Sequence, residues 1–105
     1  MSVTLLALFK RPEGGDEALA TFLSRYHAEH LPLIEQVPGL RSMSVDRVAN
    51  AVTPSELCLV NHMVFDDRAA VDAALASDQM RAAGRNLREI APGLLTLLVL
   101  EREPA

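Results

Sequence analysis

The chain has 105 residues, enough for a single domain that hides roughly two thirds of the surface its unfolded form would expose. Half of its residues are apolar, yet three Phe and one Tyr are its only aromatics and Trp is missing, so the core is aliphatic and a base-stacking platform is excluded. Fourteen acidic residues against ten basic ones, with a pI near 5.2, provide no electrostatic footprint for phosphate backbones, and no nucleic-acid partner is expected.

Cys58 is the only cysteine, which rules out an internal disulfide and any multi-cysteine zinc or iron–sulfur site and points to a reducing cytoplasm. The longest apolar run, residues 94–100 with Thr96 inside it, falls far short of the roughly 20 residues that span a bilayer. Basic residues follow the apolar N-terminal stretch rather than precede it, as Lys10 and Arg11 show. Neither a signal peptide nor a membrane partner is expected.

Residues 3–9 are short and β-prone, and the turn-rich segment Arg11-Pro12-Glu13-Gly14-Gly15 ends them, which predicts a first strand. Asp16 is the candidate cap of a long first helix. In it Leu19, Phe22, Leu23, Tyr26, His30, Leu33, Ile34 and Val37 recur at helical spacing on one stripe. Pro32 lacks the amide proton that the Ala28 carbonyl would accept, so a kink or restart is expected near residues 30–32. Pro38-Gly39 closes the helix.

Residues 40–48 read as strand two, and a polar turn containing Pro54 leads into residues 57–65 as strand three. Asp66-Asp67 then offers a cap to a helix carrying Val71, Ala74 and Leu75. Ser77 opens a second segment with Met80, Ala83, Leu87 and Ile90 at helical spacing. Pro92-Gly93 ends it, and residues 94–100 form strand four. The order βαββαβ predicts an α+β fold of ferredoxin-like topology, a four-stranded antiparallel sheet with both crossover helices on one face.

Strands one and four are apolar on both sides. Val3, Leu5, Ala7 and Phe9 oppose Leu6 and Leu8, while Leu95, Leu97 and Val99 oppose Leu94, Leu98 and Leu100. One chain's helices cover one face, so a second copy is expected on the other and the protein is predicted to be a homodimer.

The strand-one exit from Leu8 to Gly15, the segment Tyr26-His27-Ala28-Glu29-His30-Leu31-Pro32-Leu33 and the turn Pro38-Gly39-Leu40 resemble, in the same order, the EthD-like family of dimeric α+β barrel proteins. That helix carries an aromatic residue, a histidine four positions on and a proline two further, here Tyr26, His30 and Pro32. The resemblance covers residues 1–105 as one domain. It implies a sheet whose exposed face packs on a partner's sheet and a small-molecule pocket between sheet and helices. Relatives include cofactor-free lactone isomerases, and neighbouring branches include cyclases, oxygenases and haem-degrading enzymes, so fold alone does not choose a function.

His30 is the candidate catalytic residue, an imidazole in the middle of the sheet-facing stripe that can serve as acid or base. The competing reading is a core histidine bonded to a neighbouring carbonyl. Tyr26, one turn earlier, and Phe22 before it are candidate substrate-binding residues. Asn61 and His62 interrupt strand three side by side, and parity with Met63 sends Asn61 into the pocket and His62 to the dimer face. The strand-two tyrosine and strand-three cysteine of lactone-isomerising relatives correspond by resemblance to Met43 and Met63, which argues against that reaction and for an adaptable, methionine-lined pocket.

A metal is not expected. His27 and His30 stand i, i+3, but His27 falls at the edge of the stripe, Glu29 is placed on the far side of the helix, and His62 is the only further histidine. Cys58 reads as a small buried hydrophobe, and Arg25, Arg41 and Arg47 as solvated charges. The expected function is a cofactor-free enzyme or enzyme auxiliary of isomerase, cyclase, decarboxylase or oxygenase type acting on a small apolar, aromatic or oxygenated metabolite. The alternative is a non-catalytic metabolite carrier.

Overall fold

Period-two alternation in the strands and a side-chain cap at the start of each of the two helices after the third strand organise the fold. It is described here for residues 2–104 from a computed structural model. The elements in chain order are β1 (Val3–Lys10), α1 (Gly15–Arg25), a π-helical turn (Tyr26–His30), α2 (Leu31–Ile34), β2 (Ser42–Arg47), β3 (Leu57–Phe65), α3 (Arg68–Leu75), α4 (Asp78–Ile90) and β4 (Leu95–Glu101). The strands form one antiparallel sheet in the order β2-β3-β1-β4, with β1 bonded on both sides. This is the ferredoxin-like βαββαβ arrangement predicted from the element order.

Sequence signals explain most element ends. Asp67 caps α3 by accepting a hydrogen bond from the Ala70 amide at 2.8 Å, and Ser77 caps α4 through the Met80 amide at 3.1 Å. The expected cap at Asp16 is corrected. Gly14 occupies that position in the left-handed region at φ 108°, and Asp16 lies inside the first turn, where its charge complements the amide end of the helix. A Cβ on Gly14 would come within 2.9 Å of the Ala18 Cβ, so the turn excludes a side chain on steric as well as torsional grounds.

The helical break comes earlier than Pro32 alone suggests. Leu31 donates its amide to the Tyr26 carbonyl, five residues back, and the helix resumes with Pro32 in the first turn of α2, where a missing amide proton costs little.

Register separates the faces. One row across the sheet is Val45, Asn61, Ala7 and Leu97, and the next is Ser44, His62, Leu6 and Leu98. The first row faces the helices. Val3, Leu5, Ala7 and Phe9 of β1 are buried there with Leu59, Met63 and Phe65 of β3 and with Phe22, Tyr26, Ile34, Val71 and Ala83 from the helices. The second row belongs to an open face on which Leu6, Leu8, Val60 and Val64 are half-buried. β4 is largely uncovered on both sides, since the neighbouring residues Leu97 and Leu98 are each 42% exposed.

Candidate functional site

The π-helical turn brings two members of the helical stripe to the centre of the sheet. Tyr26 and His30 are both buried, with ring centroids 5.0 Å apart. Tyr26 also packs edge-on against Phe9 at 5.2 Å and against Phe22 at 5.8 Å. Its hydroxyl accepts a 2.8 Å hydrogen bond from the Asn61 amide nitrogen, and burial pushes the phenol up to about 12, so it is neutral at physiological pH. The Met43 sulfur lies 3.5 Å from the same nitrogen. Asn61 Oδ1 is the one buried side-chain polar atom without a hydrogen-bond partner among the described residues.

His30 Nδ1 lies 3.1 Å from Asn86 Oδ1 on α4. The Asn86 amide nitrogen donates to Glu29 Oε1 at 3.1 Å, and Arg25 holds both Glu29 oxygens, at 2.7 and 3.1 Å, while reaching Glu89 at 3.0 Å. The hydrogen bonds from Arg25 keep the Glu29 carboxyl below its usual range, and the carboxylate is an acceptor only. Burial drives the His30 imidazole down to about 4, opposed by its bond to Asn86, so the ring is neutral at pH 7. Glu29 therefore departs from expectation. It is half-buried at the edge of the stripe facing α4, drawn there by Asn86 and Arg25, rather than on the far side of the helix.

A cavity of about 120 Å³ lies between this layer and the sheet, reaching toward β4. Its polar wall is His30 and Asn61; Met63, Met80, Leu87 and Leu97 supply much of the rest. Of the sequence-derived candidates, His30, Asn61 and Met63 come together here. Tyr26 and Met43 stand behind Asn61 and hold its amide. Phe22 belongs to the aromatic cluster and borders an outer cleft of about 410 Å³ beside Arg25 and Glu89 rather than this cavity.

Asn86, Glu29 and Leu97 were not among the sequence-derived site residues, nor were Met80 and Leu87 of the cavity wall. Asn86 flanks the α4 stripe of Met80, Ala83, Leu87 and Ile90, and a polar residue at the margin of an amphipathic stripe is the signal that marks it.

The remaining residues singled out in the sequence lie elsewhere. His62 is on the open face, 3.7 Å from Asp46, and His27 is exposed. No group of three or more potential metal-ligating side chains gathers among the described residues. Cys58 is buried, and burial raises its thiol, which disfavours the nucleophilic thiolate. Arg41 is paired with Asp66 at the surface, and Arg47 is exposed.

A four-stranded ferredoxin-like sheet with a cavity beneath its helices and an apolar opposite face defines the α+β barrel class. No family model matches the chain, and no curated protein matches it. Among solved structures, an ethyl tert-butyl ether D (EthD) family protein from Bacillus halodurans is 33% identical with a TM-score of 0.85, the match covering 98% of this chain and all of that one. The chain belongs to the EthD family.

More distant likenesses show the fold alone. A dimeric ferredoxin-like protein from Jannaschia is 18% identical, with a TM-score of 0.71 over 97% of this chain and all of that one. The cofactor-independent oxygenase SnoaB from Streptomyces nogalater is 19% identical, with a TM-score of 0.62 over 99% of this chain and 95% of that one.

Proposed function

We propose that the protein is a homodimeric, cofactor-free enzyme acting on a small, largely apolar metabolite, with His30 as its acid/base group. The observation that carries the reading is that His30 is the single ionisable side chain in the wall of the cavity, among the described residues. A neutral imidazole in an apolar cavity is in the protonation state of a base. An anion forming on the metabolite beside it supplies the counter-charge that stabilises the imidazolium. Proton transfer at carbon or oxygen is a step that isomerisation, cyclisation and cofactor-free oxygenation can share. The oxygenase SnoaB, of the same fold, supports the class of chemistry without selecting among its members.

The dimer is part of the proposal. Leu6, Leu8, Val60, Val64, Leu98 and Leu100 form a contiguous apolar face, and a second copy of the same sheet covers it. Several proteins of this fold are described as dimeric. A cytoplasmic setting suits a chain whose only cysteine is a buried free thiol, and no helix among the described residues is long and apolar enough to cross a membrane.

A carrier without catalysis is the second reading, favoured by the methionines and leucines that make up much of the cavity wall. Thermal shifts with small aromatic acids, lactones and quinones, read in the parent and in His30→Ala, test the site. The expected result is a ligand-dependent rise in Tm that the variant loses while keeping most of its own stability. A strongly destabilised variant that binds as well as the parent would end the proposal for His30. Chemical change of a bound compound, seen by mass spectrometry in the parent alone, separates enzyme from carrier.

A further inference from the structure

The hydrogen bonds around the cavity determine which of its polar atoms face a ligand as donors and which as acceptors. Glu29 is an ionised carboxylate held by Arg25, so the Asn86 group 3.1 Å from its Oε1 is the amide nitrogen. The amide oxygen of Asn86 then faces His30 Nδ1 at 3.1 Å and can only accept, so Nδ1 carries the proton. In a neutral ring this leaves Nε2 with a bare lone pair. Asn86 is thus a positioning residue that sets the tautomer of His30 from outside the cavity.

Asn61 is oriented by the same logic. Its amide nitrogen meets the Tyr26 hydroxyl at 2.8 Å and the Met43 thioether at 3.5 Å, and a thioether offers no donor. Its oxygen is the atom left over, in a residue only 1% exposed, with no partner among the described residues. A buried acceptor without a donor is costly to fold and calls for an explanation. A ligand that brings the donor supplies one.

Building on the proposed small-molecule function, we infer that the ligand is a hydroxylated molecule about the size of one six-membered ring, a phenol or enol whose O–H donates to Asn61 Oδ1 or His30 Nε2. The size follows from the cavity of about 120 Å³, of the order that holds a benzene-sized guest. The hydroxyl follows from the two polar residues of the wall, His30 with a bare lone pair and Asn61 with an oxygen that lacks a donor, while Met63, Met80, Leu87 and Leu97 offer no donor. An O–H placed against Nε2 is also the proton that a neutral His30 is set to take.

Phenol and toluene differ by O–H against CH₃ at nearly constant shape and serve as the probes, titrated into the intact protein by calorimetry. Phenol should bind at least about tenfold more tightly although toluene is the more apolar. Asn61→Leu should shrink or reverse that ratio. Equal or tighter binding of toluene by the parent would overturn the hydroxyl inference and leave the apolar pocket standing. Absence of binding by either probe up to its solubility would overturn the pocket itself. The parent ratio decides even if Asn61→Leu does not fold.

Nitrogen-15 spectra of the histidine ring supply an independent readout. His30 should be neutral and protonated on Nδ1 at pH 7 in the parent, with that preference weakened in Asn86→Leu. A parent ring protonated on Nε2 would overturn the assignment of donors and acceptors.

Discussion

Asn61 and His62 are adjacent polar residues on one strand, and they have opposite surroundings. Asn61 is 1% exposed beneath the helices, its amide held by Tyr26 and its oxygen without a hydrogen-bond partner among the described residues. His62 lies on the open face with its side chain 43% exposed and only a 3.7 Å approach to Asp46. Histidine is the more reactive residue type, yet the amide is in the better-defined site. A side chain's chemistry in a protein is set by what desolvates and orients it. The same contrast holds for the two sheet faces, one covered by the chain's own helices and the other left for a second copy.

The largest effect should come from the open face. Leu98→Glu places a charge on the proposed dimer interface, next to Leu6 and in the row of His62. An unpaired charge buried there costs several kcal/mol, so the parent should elute at twice the 11.4 kDa chain mass and the variant as a monomer or not at all. Light scattering coupled to gel filtration measures this. A parent that is monomeric at micromolar concentration would remove the difference between the faces as an argument for dimerisation.

Acid should act on the covered face. The folded state holds the His30 pKa at about 4, below the roughly 6.5 of an unfolded histidine. As pH falls from 6.5 toward 4 the unfolded chain therefore takes up the proton first. Stability should decline across that window by roughly 2 to 3 kcal/mol and stop declining on this account below pH 4. Urea titrations of parent and His30→Leu measure the slope, which should be flatter in the variant. Equal slopes would show that His30 titrates as if in water.

The smallest effect sharpens the reading of Asn61. Tyr26→Phe keeps the ring in its contact with Phe9 and removes the oxygen acceptor of the Asn61 amide, leaving it only the weak Met43 sulfur at 3.5 Å. A loss of about 1 to 2 kcal/mol is expected by chemical denaturation. A neutral result would mean that the amide finds another partner, and the orientation of Asn61 Oδ1 would have to be reassigned.

Much of this architecture was legible in the chain because it rests on short-range rules. Alternation identified the strands, spacing identified the stripe holding Tyr26 and His30, and Asp67 and Ser77 identified the starts of α3 and α4. The same alternation placed Asn61 and His62 on opposite faces and exposed the two-sided hydrophobicity of β1 and β4.

Contacts between elements were not legible. The π-helical turn starts at Tyr26, ahead of the proline that suggested a break, because backbone bonding over the whole turn decides where the extra residue is accommodated. Phe22 and His30 share one helical stripe, yet the first packs in the aromatic cluster and the second lines the cavity, since position along the sheet separates them. The partnership of His30 with Asn86 joins residues 56 positions apart, and that of Asn86 with Glu29 joins residues 57 apart.

Local sequence thus determined which residues turn inward, through the geometry of each element and the hydrophobic effect acting on its apolar side. Only the tertiary structure decided which inward residues meet, which ring nitrogen keeps its lone pair and which amide oxygen is left without a donor. Those outcomes depend on directional bonds between distant segments, and such bonds exist only once the elements have packed.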